Sequence, residues 1–117
     1  MSISKFFHSL KYSWYGIKQV FTEEQNFQIQ FFCAVVVIVL SIFKFEFNYI
    51  ELSITFICIA LVLATEIVNT AIENTWDHLE PNHHPVVKTV KDMMAAAVTV
   101  VSFFSAIVWV LLIVSRY

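Results

Sequence analysis

The first 22 residues place apolar side chains at the spacing of one helical face. These side chains recur at steps of three and four residues, whereas Lys5, Lys11 and Lys18 lie off the stripe. The pattern predicts an amphipathic α-helix over residues 1–22. A helix with lysines beside an aromatic face is typical of the membrane interface, where we expect it to lie. The stripe consists of Ile3, Phe6, Phe7, Leu10, Trp14, Ile17 and Phe21.

Three long apolar segments follow the first helix. The second of them stays helical in pattern well beyond its apolar part, because neither Gly nor Pro occurs between its start at Tyr49 and Pro81. The third contains 22 uncharged residues, enough to cross a bilayer with some tilt. We therefore predict an all-α membrane protein that forms one domain over residues 1–117. The predicted spanning helices cover residues 27–43, 49–77 and 86–114.

Composition supports a membrane protein and excludes several other classes. Apolar residues make up 59% of the chain and charged residues 14%, against about 25% charged in an average soluble domain. A soluble domain of 117 residues has too much surface to hide that apolar fraction. The net charge of −2 gives no basic stripe for nucleic acid. Cys33 and Cys58 lie inside apolar runs, which favours buried thiols over a disulfide or a metal pair.

The distribution of basic residues predicts the orientation in the membrane. With three spans, the N-terminal segment and the second connection lie on the same membrane face. Five basic residues lie on that face and two on the other, which puts the N-terminus in the cytoplasm. The five are Lys5, Lys11, Lys18, Lys88 and Lys91, and the two are Lys44 and Arg116.

The second span carries a ridge of polar side chains toward its cytoplasmic end. At about 100° per residue, Glu73 and Asp77 each lie within about 20° of Glu66 around the helix axis. A solvated extension of the helix accounts for Asp77, but Glu66 directly follows 14 uncharged residues. An ionisable group at that depth is expensive and is therefore a functional candidate. The polar ridge consists of Glu66, Asn69, Thr70, Glu73 and Asp77.

The spacing of the polar ridge separates two roles. Glu66 and Glu73 are seven residues apart, or about 10.5 Å along the axis, so both cannot easily bind one metal ion. Glu66, partly desolvated at the lipid boundary, suits a general base. Glu73, closer to water, suits a hard cation such as Mg²⁺ together with substrate phosphates. Two thin neighbouring helices cannot shield the ridge, so we expect other copies of the chain to cover Glu66 and Asn69.

Two lysines lie at the start of the third span. Lys88 and Lys91 share a helix face and fit either a phosphate clamp or an ordinary positive-inside cluster. The sequence contains neither a Gly-rich phosphate loop nor a nucleophile elbow, since Gly16 is its only glycine. A nucleotide would therefore bind outside the familiar soluble folds.

Four motifs occur in one register along nearly the whole chain. The run from Glu66 to Glu73, EIVNTAIE, is followed by Asp77. The others are YSWYG at residues 12–16, Glu24 with Phe27, and KDM at residues 91–93. Together they resemble the small bacterial integral-membrane lipid kinases, which comprise diacylglycerol kinases and undecaprenol kinases. The motif of the second span is the specific one, because apolar spans alone occur in many unrelated membrane proteins.

The resemblance implies a homotrimeric bundle in which each protomer has an N-terminal surface helix and three spans. It also implies transfer of the γ-phosphoryl group of ATP, with Mg²⁺, to a membrane lipid alcohol. This reaction takes place at the cytoplasmic surface of the bacterial inner membrane and yields phosphatidic acid from diacylglycerol, or undecaprenyl phosphate from undecaprenol. The residues near Tyr12 resemble the first branch and those near Gln25 the second, so the sequence leaves the lipid open.

Roles for individual residues also follow from the resemblance. Glu66 matches the catalytic base, and Glu24 and Glu73 match the metal-binding carboxylates. Two positions depart from the family: Lys5 replaces an arginine and loses its bidentate fork, and Met94-Ala95 replaces Gly-Ser. The positions that match nucleotide contacts are Lys5, Tyr12, Glu24, Glu73, Asn82, His83, His84, Lys91 and Asp92. The positions that match contacts to the lipid substrate are Trp14, Asn69 and Ala95.

Two other functions fit the same residues. In a small proton-coupled transporter, Glu66 would relay protons, although the carboxylates cluster at one membrane face rather than at the midplane. In a non-enzymatic scaffold, the polar ridge would only pair helices. Uptake without ATP would favour the transporter. Retained assembly of a Glu66→Gln variant, with no ATP turnover in either form, would favour the scaffold.

Overall fold

The structure, a computed structural model, describes residues 2–79 and 85–117, and this part of the chain contains helices and no strand. Three of its helical segments are long and apolar enough to cross a membrane: Gln25–Lys44, Tyr49–Leu79 and Pro85–Val114. The predicted all-helical chain with three candidate spans is therefore confirmed. The elements are α1 (Ile3–Glu23), α2 (Gln25–Val39), a π-helical turn (Leu40–Lys44), α3 (Tyr49–Leu79) and α4 (Pro85–Val114).

A sharp corner at Glu24 separates α1 from α2. The backbone of Glu24 is extended, with φ −109° and ψ 112°, so it interrupts the helix for a single residue. The Gln28 side-chain amide donates to the Phe21 carbonyl at 2.8 Å, which ties the two helices together across the corner. Phe27 is only 3% exposed and meets the Phe21 ring edge to face. These contacts fix where the Glu24 side chain leaves the backbone.

The N-terminal helix leaves its apolar stripe largely exposed, although Phe21 at its end contacts α2. Ser2 caps the helix, since its hydroxyl accepts from the Lys5 amide at 3.2 Å. The stripe residues of α1 remain exposed, and Lys18 stacks over the Trp14 ring at 5.9 Å from its centroid. The exposed stripe is formed by Ile3, Phe6, Phe7, Leu10, Trp14, Ile17 and Phe21.

The first span ends in a π-helical turn that the sequence pattern did not predict. The Phe45 amide donates to the Leu40 carbonyl at 2.9 Å, five residues earlier, where an α-helix would bond four residues back. Ser41 in this turn is fully buried, and its hydroxyl donates to the Val37 carbonyl at 2.7 Å. The same hydroxyl accepts from Trp109 Nε1 at 2.9 Å, which joins the turn to α4.

The α3–α4 pair forms the largest helix contact in the described part of the chain. Asn48 and Glu51 cap the start of α3 reciprocally, with two hydrogen bonds of 2.9 Å. Arg116, just beyond α4, pairs with Glu51 at 2.5 Å. At the other end Pro85 occupies the first position of α4, where its missing N–H costs no helical bond. There, the end of α3 and the start of α4 lie side by side.

The hydrogen bond between Trp109 and Ser41 gives a stability prediction. Trp109→Phe keeps an aromatic ring but removes the donor, and a hydrogen bond between membrane helices contributes about 0.6–2 kcal/mol. We expect the unfolding temperature of the protein in detergent to fall by several degrees. Ser41→Ala should also lower it, and the double variant should lose less than the sum of the two. Trp14→Phe, at an exposed tryptophan, is the matched control and should change nothing; additive losses would contradict the account.

Candidate functional site

Three members of the polar ridge of α3 are buried within one chain. Glu66 is 4% exposed, Asn69 9% and Thr70 3%. The expectation that only neighbouring copies could cover Glu66 and Asn69 is therefore wrong. It counted two covering helices, whereas α3 packs against α2 and α4 and also contacts α1, which folds back from the corner at Glu24. The N-terminal helix is the additional wall.

Two further carboxylates lie close to Glu66. Glu24, from the corner between α1 and α2, and Glu73, two turns further along α3, are both near enough to act on Glu66 electrostatically. Glu24 and Glu73 are half-buried. No ion pair in residues 2–79 and 85–117 involves any of the three. These three side chains, called the carboxylate cluster below, therefore concentrate negative charge at one end of the molecule.

Asn69 brings an unsatisfied acceptor to the same face of α3. Its side-chain oxygen Oδ1 is buried and has no hydrogen-bond partner in the described part of the chain. Asn69 lies three residues after Glu66, so the two side chains are neighbours on the helix surface. A buried acceptor left unpaired costs about 1–3 kcal/mol. An incoming donor group would relieve that cost.

The carboxylate cluster fits a hard divalent cation that brings ligands of its own. In residues 2–79 and 85–117, no three or more His, Cys, Asp and Glu side chains group closely enough to hold a metal ion by themselves. Mg²⁺ is usually bound by one or two carboxylates and completes its shell with water and substrate phosphates. Glu24 and Glu73, half-buried and without a cation partner, suit that role better than the deeper Glu66.

Both lysines at the start of α4 already have carboxylate partners. Lys91 pairs with Asp77 at the end of α3, and Lys88 pairs with Asp92 on its own helix at 2.7 Å. The two lysines therefore pair with carboxylates on different helices, Lys88 within α4 and Lys91 with α3. The sequence analysis did not anticipate the role of Asp77 as the partner of Lys91. The position of Asp77 on the polar ridge, four residues after Glu73, was the signal in the sequence that could have indicated a role for it.

Of the remaining predicted site residues, those that the structure describes on α1 and α4 are exposed. Lys5, Tyr12 and Trp14 are exposed on α1, and no described side-chain hydrogen bond joins them to the cluster. Ala95 and Asp92 are exposed on α4. The predicted nucleotide contacts at residues 82–84, which are Asn82, His83 and His84, lie outside the residues that the structure describes.

A thermal-unfolding experiment tests the carboxylate cluster without measuring activity. We expect Mg²⁺, added with a non-hydrolysable ATP analogue, to raise the unfolding temperature, because a cation relieves the repulsion among the three carboxylates. A ligand at about 100 times its Kd contributes about 2.7 kcal/mol, or several degrees for a chain of this size. Glu24→Gln and Glu73→Gln should lose most of this shift.

Glu23→Gln is the matched control for that experiment. Glu23 is an exposed carboxylate next to Glu24, and its removal should leave the Mg²⁺-dependent shift unchanged. NaCl at equal ionic strength separates specific binding from screening. Equal Mg²⁺ shifts in the wild type and in both site variants would remove the metal role from Glu24 and Glu73.

Comparison with known proteins places the chain in a family. The sequence profile of the prokaryotic diacylglycerol kinases matches residues 11–113. An undecaprenol kinase of Bacillus subtilis is 34% identical over 97% of this chain and 92% of its own length. A diacylglycerol kinase of Haemophilus influenzae is 32% identical over 87% and 86%, and one of Escherichia coli is 26% identical over 91% and 86%. These matches confirm the resemblance drawn from the motifs: the chain belongs to the prokaryotic diacylglycerol kinase family of lipid kinases.

Proposed function

We propose that this chain transfers the γ-phosphoryl group of ATP to the hydroxyl of a membrane lipid at the cytoplasmic surface. Membership of a kinase family implies a nucleotide phosphate donor. The names of the relatives supply two candidate acceptors, diacylglycerol and undecaprenol, and both are lipid alcohols. The observation that carries the proposal is the burial of Glu66 beside two other carboxylates, where α3 leaves its apolar stretch.

Glu66 is the proposed general base. A lipid hydroxyl that enters sideways from the bilayer meets α3 at the depth of Glu66. The carboxylate accepts the hydroxyl proton while the hydroxyl oxygen forms a bond to the γ-phosphorus, and the bond from that phosphorus to ADP breaks. Asn69, whose Oδ1 lacks a partner, lies beside Glu66 on α3 and is a proposed contact of the same lipid substrate. Trp14 and Ala95, both exposed to the surroundings of the chain, are the other proposed lipid contacts.

Glu24 and Glu73 are the proposed metal ligands. Mg²⁺, when bound, neutralises charge on the transferring phosphoryl group. The two carboxylates are less buried than Glu66, so a metal ion held by them would lie nearer to water than the proposed base. The proposed nucleotide contacts are the same positions that match the family: Lys5, Tyr12, Asn82, His83, His84, Lys91 and Asp92.

The proposed setting is the bacterial inner membrane, with the N-terminus in the cytoplasm. The exposed apolar stripe of α1 suits a helix that lies in the membrane interface, next to the carboxylate cluster. Exposed apolar side chains along the three spans suit contact with lipid or with further copies of the chain. The family resemblance supports a homotrimer.

Product analysis tests the proposed reaction. Purified protein in lipid vesicles receives γ-labelled ATP, Mg²⁺, and either diacylglycerol or undecaprenol, and thin-layer chromatography separates the products. We expect labelled phosphatidic acid or labelled undecaprenyl phosphate, and the stronger product identifies the preferred lipid. Glu66→Gln should reduce labelling by about 10²–10⁴-fold, the usual cost of a lost general base.

Glu23→Gln is again the matched control, since it removes an exposed carboxylate near the site and should retain activity. Correct assembly of Glu66→Gln is checked by its elution in size-exclusion chromatography. Absence of label from both lipids in the wild type would overturn the proposed reaction. Near-normal labelling by Glu66→Gln would remove only the assignment of the base.

The position of α1 has its own test. We expect Trp14 fluorescence to be quenched by lipid-attached quenchers at headgroup or shallow acyl depth, because its exposed ring belongs to the apolar stripe. Trp76 and Trp109 are replaced by Phe so that only Trp14 emits. Quenching by aqueous reagents alone would show that α1 stands off the membrane.

A further inference from the structure

The ion pair between Asp77 and Lys91 joins two helices at the end of the molecule that carries the carboxylate cluster. The residues are 14 positions apart, and their side chains meet where the last turns of α3 face the first turns of α4. Asp77 is 61% exposed and Lys91 35% exposed at their side chains. The pair is therefore reachable from water and does not serve to neutralise a buried charge.

The position of Asp77 on α3 gives the pair its significance. Asp77 lies four residues after Glu73, about 6 Å further along the axis and on the same helix face. Its carboxylate therefore brings the Lys91 ammonium to the polar ridge, one turn beyond a proposed metal ligand. An ammonium at that point is close to where the phosphates of a metal-bound nucleotide would lie.

In the described part of the chain, Asp77 is the one side chain that forms a hydrogen bond or ion pair with the Lys91 ammonium. Lys91 has no second described ion pair, and its neighbour Lys88 pairs within α4, with Asp92. Lysine is a flexible four-carbon stem with a strongly hydrated head, so an unpaired Lys91 would sample many positions in water. Asp77 restricts that sampling from a different helix.

We propose that Asp77 is a positioning residue, which holds the Lys91 ammonium at the phosphate-binding end of the polar ridge. The inference rests on the proposed function, because it assigns to Lys91 a nucleotide phosphate as its second partner. The ammonium has three donors, so it can keep the Asp77 carboxylate while it also meets a phosphate oxygen. An exposed ion pair is weak enough to leave the lysine available to a ligand.

Steady-state kinetics test the proposal. Asp77→Asn removes the charge and nearly preserves the shape, and we expect it to raise the KM for MgATP about two- to fivefold, the range that exposed ion pairs supply. The kcat should stay close to that of the wild type, since Glu66 and its surroundings are untouched. Asp77→Glu restores the carboxylate and should restore much of the KM. In a Lys91→Gln background, Asp77→Asn should cause no further rise.

Glu51→Gln is the matched control for a merely structural role. It breaks the ion pair with Arg116 at the opposite end of the α3–α4 pair, so it weakens the contact between the same two helices. We expect it to lower thermal stability and to leave the KM for MgATP unchanged. Equal rises of KM in Glu51→Gln and Asp77→Asn would overturn the proposal, as would an unchanged or lowered KM in Asp77→Asn.

Chemical labelling gives a readout that needs no activity. An amine-acylating reagent is applied to the nucleotide-free protein, and mass spectrometry follows the labelling of each lysine. We expect Asp77→Asn to increase the labelling rate of Lys91 and to weaken its protection by MgATP, while Lys88 serves as the internal control. Unchanged labelling of Lys91 would refute the positioning role. A wild type that labels as expected but phosphorylates no lipid would instead refute the proposed function alone.

Discussion

A carboxylate carried by a membrane-spanning helix is the constraint on which the rest of this structure depends. Glu66 follows 14 uncharged residues of α3 and is almost fully buried, where an uncompensated charge costs several kcal/mol. In the described part of the chain, the charged side chains that act on Glu66 are two further carboxylates, Glu24 and Glu73, and not a cation. This local arrangement opposes stability. Proteins retain such arrangements at functional sites, where a cation and substrate complete the charge balance.

The remaining structure holds that unfavourable group in place. The corner at Glu24 returns α1 to α3 and supplies the extra wall over the polar ridge. The α3–α4 contact also carries an ion pair at each end, Glu51 with Arg116 and Asp77 with Lys91. Rigid helices suit a phosphoryl-transfer site, because catalysis of that reaction depends mainly on positioning and charge neutralisation.

The helices and the polar ridge could be predicted from the sequence, but the packing between them could not. Helical periodicity places Glu66 and Glu73 on one face, since each residue turns the chain by a fixed angle. Helical periodicity does not say which other helices pack against that face. The sequence therefore did not predict that Glu66 is buried within a single chain. The π-helical turn at Ser41 depends on a bond to Trp109, 68 residues away. The partner of Lys91 likewise depends on how α3 and α4 meet.

The most direct test of the central claim follows the oxygen atoms of the transferred group. ATP labelled with ¹⁸O at all three non-bridging γ-oxygens is supplied to the wild-type protein in vesicles that contain the preferred lipid. Mass spectrometry then measures the mass of the lipid phosphate that forms. Direct transfer to the lipid hydroxyl predicts a lipid phosphate that carries all three labels and keeps the lipid's own unlabelled oxygen. A lipid phosphate with fewer labels, or label found only in inorganic phosphate, would contradict the account.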